Sequence, residues 1–240
     1  KGAQFERLIF TDADCVPASP YWLGFMSAQF DESKKIVLGF GQYFKTKGIL
    51  NYLIRMDTVQ TAIQYLGLAS RGKPYMGVGR NLGYTKEVFL EASGFKGHQH
   101  IKWGDDDLFI NQVATGNNTT ICAQPEATTY SISKDNFRAW YNQKRRHMST
   151  SVKYRWETTL LIGIKPLRII SYYSLLIIGL NYPDLKMSFL ISALILYLTH
   201  AFIFIVLKKK LGAIENAGIF PLTELILFLI NFLIYISTWL

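Results

Sequence analysis

Cysteine is almost missing from this chain: Cys15 and Cys122 are the two thiols in 240 residues. They have no metal-ligand spacing and suit a reducing compartment rather than a disulfide framework. Acidic residues are also scarce, 17 against 26 Lys and Arg, which leaves a formal net charge of +9. No internal repeat and no low-complexity linker divides the sequence. No secretory leader is visible either, since the chain opens at Lys1 and reaches a core-type strand within a few residues; an upstream portion is therefore expected.

Apolar residues make up 50% of the chain and are unevenly spread. Residues 1–155 read as a mixed, water-soluble region, whereas 156–240 contain long apolar stretches with short polar punctuation. The stretches at about 185–207 and 219–240 are each long enough to cross a hydrocarbon core of roughly 30 Å as a helix. A third, about 160–182, is interrupted by Lys165, Pro166 and Arg168, so it is expected to start as an interfacial helix and to enter the bilayer near Ile169. Basic residues from Arg138 to Arg168 precede the first stretch and Lys208-Lys209-Lys210 follow the second, while the turn Asn181-Tyr182-Pro183-Asp184 has none. Both basic clusters are thus expected on the cytoplasmic side of an integral protein of the plasma or cytoplasmic membrane, with 1–155 in the cytosol. There the sequons in Asn117-Asn118-Thr119-Thr120 would carry no sugar. Charges that hug membrane segments fit membrane lipids or a phosphorylated substrate better than nucleic acid. His200 and Glu224, ionisable groups inside apolar stretches, are expected to pair across their helices.

Within the soluble region, Asp12-Ala13-Asp14 follows the apolar run Leu8-Ile9-Phe10. Two carboxylates where a strand opens into a loop can hold a divalent cation that also holds phosphate oxygens; taken alone, they fit equally a turn capped by its own side chains. The pattern predicts strands at 8–11 and 36–43 and helices at 20–30, 49–67 and 86–92. The segment around Gly79-Arg80-Asn81 is rich in glycine, which lets backbone approach a ligand. Trp103-Gly104-Asp105-Asp106-Asp107 places three acids ahead of an apolar pattern, more than a helix cap needs, and suggests a base with a raised pKa. Trp103 offers a ring for an acceptor to stack on or simply packs. His98 and His100, without fixed partners, read as loop residues. Gln143-Lys144-Arg145-Arg146-His147 is, by itself, a juxtamembrane basic cluster, although guanidinium groups there suit phosphate.

Taken in order, Asp12-Ala13-Asp14, Gly79-Arg80-Asn81, Gly104-Asp105-Asp106 and Gln143-x-x-Arg146 followed by apolar helices resemble the membrane-bound family 2 glycosyltransferases. That family includes the hyaluronan, chitin, cellulose and ceramide-glucoside synthases. The resemblance implies an α/β fold, a partial GT-A (Rossmann-like) domain, followed by an α-helical transmembrane region. It also implies a nucleotide-diphosphate sugar donor, most commonly carrying UDP, a glycan or lipid acceptor, and a divalent metal, Mn2+ or Mg2+. By the same likeness Asp12 and Asp14 form the metal and diphosphate motif, with Asp14 the more direct ligand. Asp106 is the general base with Asp105 beside it; Gly79, Arg80, Asn81 and Trp103 line the substrate site. Gln143 and Arg146 hold the diphosphate and the acceptor side. His147 stands where the motif has a tryptophan, which alters any stacking there and makes processive synthesis less expected. The family's opening strands and its base-recognising aspartate are not in this chain, which alone is expected to bind its donor poorly.

Two other readings share some of these residues. Asp12-Ala13-Asp14-Cys15-Val16 matches the first motif of haloacid-dehalogenase-type phosphatases, with Asp12 as nucleophile, but no Ser/Thr and Lys candidates complete that set. A membrane assembly subunit without turnover would have no need of intact Asp14, Asp106 and Arg146.

Overall fold

The computed structural model describes residues 2–98, 101, 104–216 and 218–239, with the side chain of His98 left aside. Strand β1 (Arg7–Phe10) pairs antiparallel with β5 (Leu82–Thr85), β5 with β3 (Ile36–Gly39), and β3 runs parallel to β6 (Thr119–Cys122). A second sheet has β7 (Thr129–Ser131) between β2 (Val16–Pro17) and β4 (Gly41–Tyr43), antiparallel to the first and parallel to the second.

The single strand expected over 36–43 is therefore two strands in two sheets, broken at Phe40. Steric demand explains the break. A Cβ on Gly39 would lie 2.4 Å from the Asn81 side chain, and one on Gly41 2.5 Å from Arg80. The chain passes so close to Arg80-Asn81 that only glycine fits on both sides of Phe40. The segment read as a glycine-rich loop is itself ordered, a 3-10 turn at Gly79–Asn81 leading into β5. Strands β6 and β7 have no strong alternation in sequence, because each is short and covered by neighbours.

Helix α1 (Trp22–Ser27) is shorter than expected, whereas α2 (Ile49–Ala69) and α3 (Lys86–Glu91) match within a few residues. Met56, Val59 and Leu66 of α2 are buried as an amphipathic reading requires, but so are its Arg55, Asp57 and Gln60. The reason is position: α2 touches β4 and β6 and also α7 (Lys186–Lys210) and α8 (Phe220–Ser237). Between them come α4 (Asp105–Val113), α5 (Phe137–Ser151) and α6 (Trp156–Leu180).

Helices α6 to α8 are long and apolar enough to cross a membrane. Exposed Leu160, Ile164 and Leu167 on α6 and Leu194, Ile195 and Leu198 on α7 give them apolar outer faces. Helix α6 runs unbroken through Pro166, over the whole stretch expected at about 160–182. Its charges have protein partners: Lys165 donates to Gln60 Oε1 at 2.9 Å and Arg168 donates to Glu224 Oε1 at 2.6 Å. The expected meeting of His200 and Glu224 is mediated: Arg168 Nη1 lies 3.0 Å from His200 Nδ1 while its Nη2 holds Glu224. Phe204, Leu211, Phe220 and Leu227 join the same buried apolar cluster as Ile54 and Val59 of α2, so the helices and the sheet domain share one core.

Candidate active site

The antiparallel register sets the site. Phe10 pairs with Leu82, so the loop after β1, with Asp12 and Asp14, faces the Gly79–Asn81 turn before β5. Cys15 N–H donates to the Asp12 carbonyl at 3.0 Å, closing the turn that brings the two carboxylates side by side. Ligand atoms of Asp12, Asp14 and Cys15 lie within 4.8 Å of one another. Removal from water, Asp14 and Asp105 hold the Asp12 carboxyl above its usual range, and Arg80 pulls the other way. The Cys15 thiol is pushed up by burial and by both aspartates, so it keeps its proton and the carboxylate oxygens are the available donors. Such oxygens suit a hard cation, Mg2+ or Mn2+.

Asp106 enters from α4. Its Oδ2 accepts the Gly79 N–H at 2.6 Å, which ties the head of α4 to the turn carrying Arg80. Burial holds the Asp106 carboxyl above the usual range, opposed by the Gly79 and Asp107 backbone donors. Three acids fit at one helix start because each has a different setting. Asp105 is exposed toward Asp12, Asp106 is held by Gly79, and Asp107 is buried against Tyr154. Burial and Asp106 push the Asp107 carboxyl well above its usual value, opposed by a hydrogen bond with Tyr154. The residue before them, Gly104, has φ +78°, and a Cβ there would fall 2.4 Å from Thr150 Cγ2 of α5.

Helix α5 begins with Asn136 accepting the Ala139 N–H at 2.9 Å, an N-cap. Gln143 Nε2 donates to Tyr43 Oη at 3.3 Å, and the Arg80 guanidinium lies over the same Tyr43 ring, 4.5 Å from its centre. His147, one turn on, is on the same face. Loss of water and the cations Lys144, Arg80 and Arg146 push its imidazole down to about 4. His147 is exposed, so the three cations are the firmer cause, and it is neutral at physiological pH. Arg146 lies in a groove with Asn142, Arg145, Ser149 and Thr238, none of them a residue of the acidic site. Lys144, from the cluster, points instead to α2 and pairs with Asp57 at 2.7 Å.

The structure thus brings Asp12, Asp14, Gly79, Arg80, Asp105, Asp106, Gln143 and His147 around one end of the two sheets. Asn81 lies inside the wall: it is fully buried, donates to the Phe40 and Ala127 carbonyls at 2.7 Å each, and accepts from Trp22 Nε1 at 3.0 Å. Trp103 and His100 lie outside the described residues. Tyr43 was not singled out in the sequence, where it is one aromatic among 14 tyrosines; only its place in β4 under Arg80 and Gln143 distinguishes it.

Two mixed sheets with an acidic loop at the end of β1 and a second acid at the head of a helix define a Rossmann-like glycosyltransferase fold. The chain belongs to glycosyl transferase family group 2, whose model matches residues 9–238. Comparison with curated proteins finds no match. Among solved structures, it is similar to the mannosyltransferase PcManGT from Pyrobaculum calidifontis, in complex with GDP-Man and Mn2+. The TM-score is 0.50 at 13% identity, over 98% of this chain and 63% of that one, so this chain spans less than two thirds of that structure.

Proposed function

We propose that the chain forms part of a membrane-bound glycosyltransferase that moves a sugar from a nucleotide-diphosphate sugar to a hydroxyl of a glycan or lipid acceptor, with inversion at the anomeric carbon. The observation that carries this reading is Asp106 held by Gly79 N–H beside Arg80, across from Asp12 and Asp14. Family membership weighs against the phosphatase alternative.

In this reading the acceptor oxygen forms its bond to the anomeric carbon while the bond to the diphosphate breaks. The acceptor's proton passes to an Asp106 carboxylate oxygen, whose raised pKa makes it a stronger base than an ordinary aspartate. Negative charge gathers on the departing diphosphate. Arg80, oriented by its stack on Tyr43, and Arg146, beside His147 on α5, supply positive charge there. Asp12 and Asp14 would hold a divalent cation, which supplies further charge stabilisation to the diphosphate oxygens. Gln143 keeps Tyr43, and with it Arg80, in place. Helices α6 to α8 span the membrane, with the sheet domain and Lys208–Lys210 on the cytosolic side.

The test is nucleotide-diphosphate release from a panel of UDP- and GDP-sugars, with Mn2+ or Mg2+, in membranes carrying the full-length protein or its Asp106→Asn form. Release that needs one donor, metal and Asp106 is expected. A folded protein that releases nothing from any donor would make the inactive assembly subunit the better reading.

A further inference from the structure

Away from the acidic site, a cavity of about 240 Å³ lies where α2 meets α6, α7 and α8. Its polar wall is unusual. Gln60 is 7% exposed, and its Oε1 accepts from Lys165, which fixes the orientation of the amide. Its Nε2 is buried and, among the described residues, has no partner, and Gln60 itself lines the cavity. A buried amide N–H left unbonded costs about 1–3 kcal/mol, so an acceptor is called for here. Lys165 and Arg168 line the same space with Glu224 as the one carboxylate, two cations against one anion. Lys165 has further donor capacity beyond its bond to Gln60.

The remaining wall is apolar, including Ile203, Phe204 and Leu207. Ile203 is 47% exposed, so the cavity reaches the outer apolar face of α7. Leu207 is followed directly by Lys208–Lys210, the basic end of α7, which sets the cavity at the depth of lipid headgroups. A ligand that satisfies both walls must be anionic and rich in acceptors at one end and hydrocarbon at the other.

We propose that this cavity binds the phosphate headgroup of an anionic membrane lipid, with Gln60 Nε2 and Lys165 donating to the phosphate and the lipid chain lying along Ile203 on α7. The site rests on the reading of α6 to α8 as membrane spans. Occupancy would steady α2 one turn from Asp57, whose partner Lys144 belongs to the helix that carries Gln143 and His147.

Purified full-length protein, stripped of lipid in a neutral detergent, is titrated with short-chain phosphatidic acid, phosphatidylcholine and inorganic phosphate, following the melting temperature and, by native mass spectrometry, bound lipid. Saturable stabilisation by phosphatidic acid is expected, with affinity weakened at least roughly tenfold in Lys165→Met, the loss of one charge-assisted contact. Ile203→Trp, which narrows the cavity and keeps every charge, is expected to weaken it likewise, so a folding defect in the lysine variant does not decide the matter. Equal stabilisation by inorganic phosphate would make the ligand a soluble anion and overturn the lipid assignment. Equal binding of phosphatidylcholine, or unchanged affinity in both variants, would also overturn it. Failure of the membrane reading shows separately, as a chain that stays dispersed in water without detergent.

Discussion

Asp106 shows how one residue serves structure and chemistry with opposite demands. Its raised folded-state pKa means the folded protein holds that proton more tightly than the unfolded chain, whose aspartates titrate near roughly 3.9. The stability contribution is therefore full below the unfolded value and lost as pH rises through the folded value, whereas a base works only above it. Asp106→Asn is expected to lower turnover by about 10²–10⁴-fold and leave donor binding in place. Asparagine retains an oxygen for the Gly79 N–H, so the variant should melt no lower than the parent at neutral pH. A pH series of kcat/KM should show an acid limb displaced above the ordinary aspartate range, missing in the variant's residual rate. Gly104 is the other demanding residue. Gly104→Ala puts a Cβ into Thr150 at positive φ, and is expected to cost about 1–3 kcal/mol by thermal unfolding and to lower activity by moving the head of α4.

Helix α5 is placed by a pair that takes no part in the proposed chemistry. Burial alone would raise the Asp57 pKa, but Lys144 and hydrogen bonds from Lys144 and Asn231 outweigh it, and the carboxyl lies below the usual range. That contribution is present above the unfolded aspartate value and fades as pH falls through the folded one. Lys144→Met would leave a buried carboxylate without its ion-pair partner, an expected loss of about 3–5 kcal/mol. Lys144→Met with Asp57→Leu should recover most of it, and a double-mutant cycle by chemical denaturation measures the difference. If the single variant unfolded no earlier than the parent, the pair would not be what holds α5. The basic cluster therefore divides by direction: Gln143 and His147 face the site, Lys144 faces α2, and Arg145 lines the outer groove.

Across the molecule, the segment between α7 and α8 enters the sheet domain. Glu215 is buried and takes bonds from Arg55 Nη2 at 2.5 Å and Gln42 Nε2 at 3.2 Å. Gln42 in turn accepts from the Tyr43 N–H at 2.9 Å, next to the ring under Arg80. The segment joining α7 and α8 thus reaches Tyr43 through Glu215 and Gln42. Glu215→Gln is expected to destabilise by about 3–5 kcal/mol, with recovery when Arg55→Met accompanies Glu215→Met. Donor KM should rise along with the loss if the chain Glu215–Gln42–Tyr43 positions Arg80. An unchanged KM in a folded Glu215→Gln variant would confine this contact to a structural role.

Much of this could be read from the residues in order. Three long apolar helices were legible because crossing a bilayer is a matter of local length and composition. The order of acidic, glycine-rich and Gln-x-x-Arg segments was legible because it is a pattern of residue types along the chain, and the family match over residues 9–238 covers all of them. The folded chain alone decided that residues 36–43 divide between two sheets, that Asn81 lies within the wall, that Tyr43 lies under Arg80, and that Glu215 meets Gln42. The physical reason is range. Periodicity and motif report on neighbours in sequence, whereas Arg168 joining His200 to Glu224, or Glu215 meeting Arg55 160 positions away, depends on which surfaces are left to be buried once the elements exist.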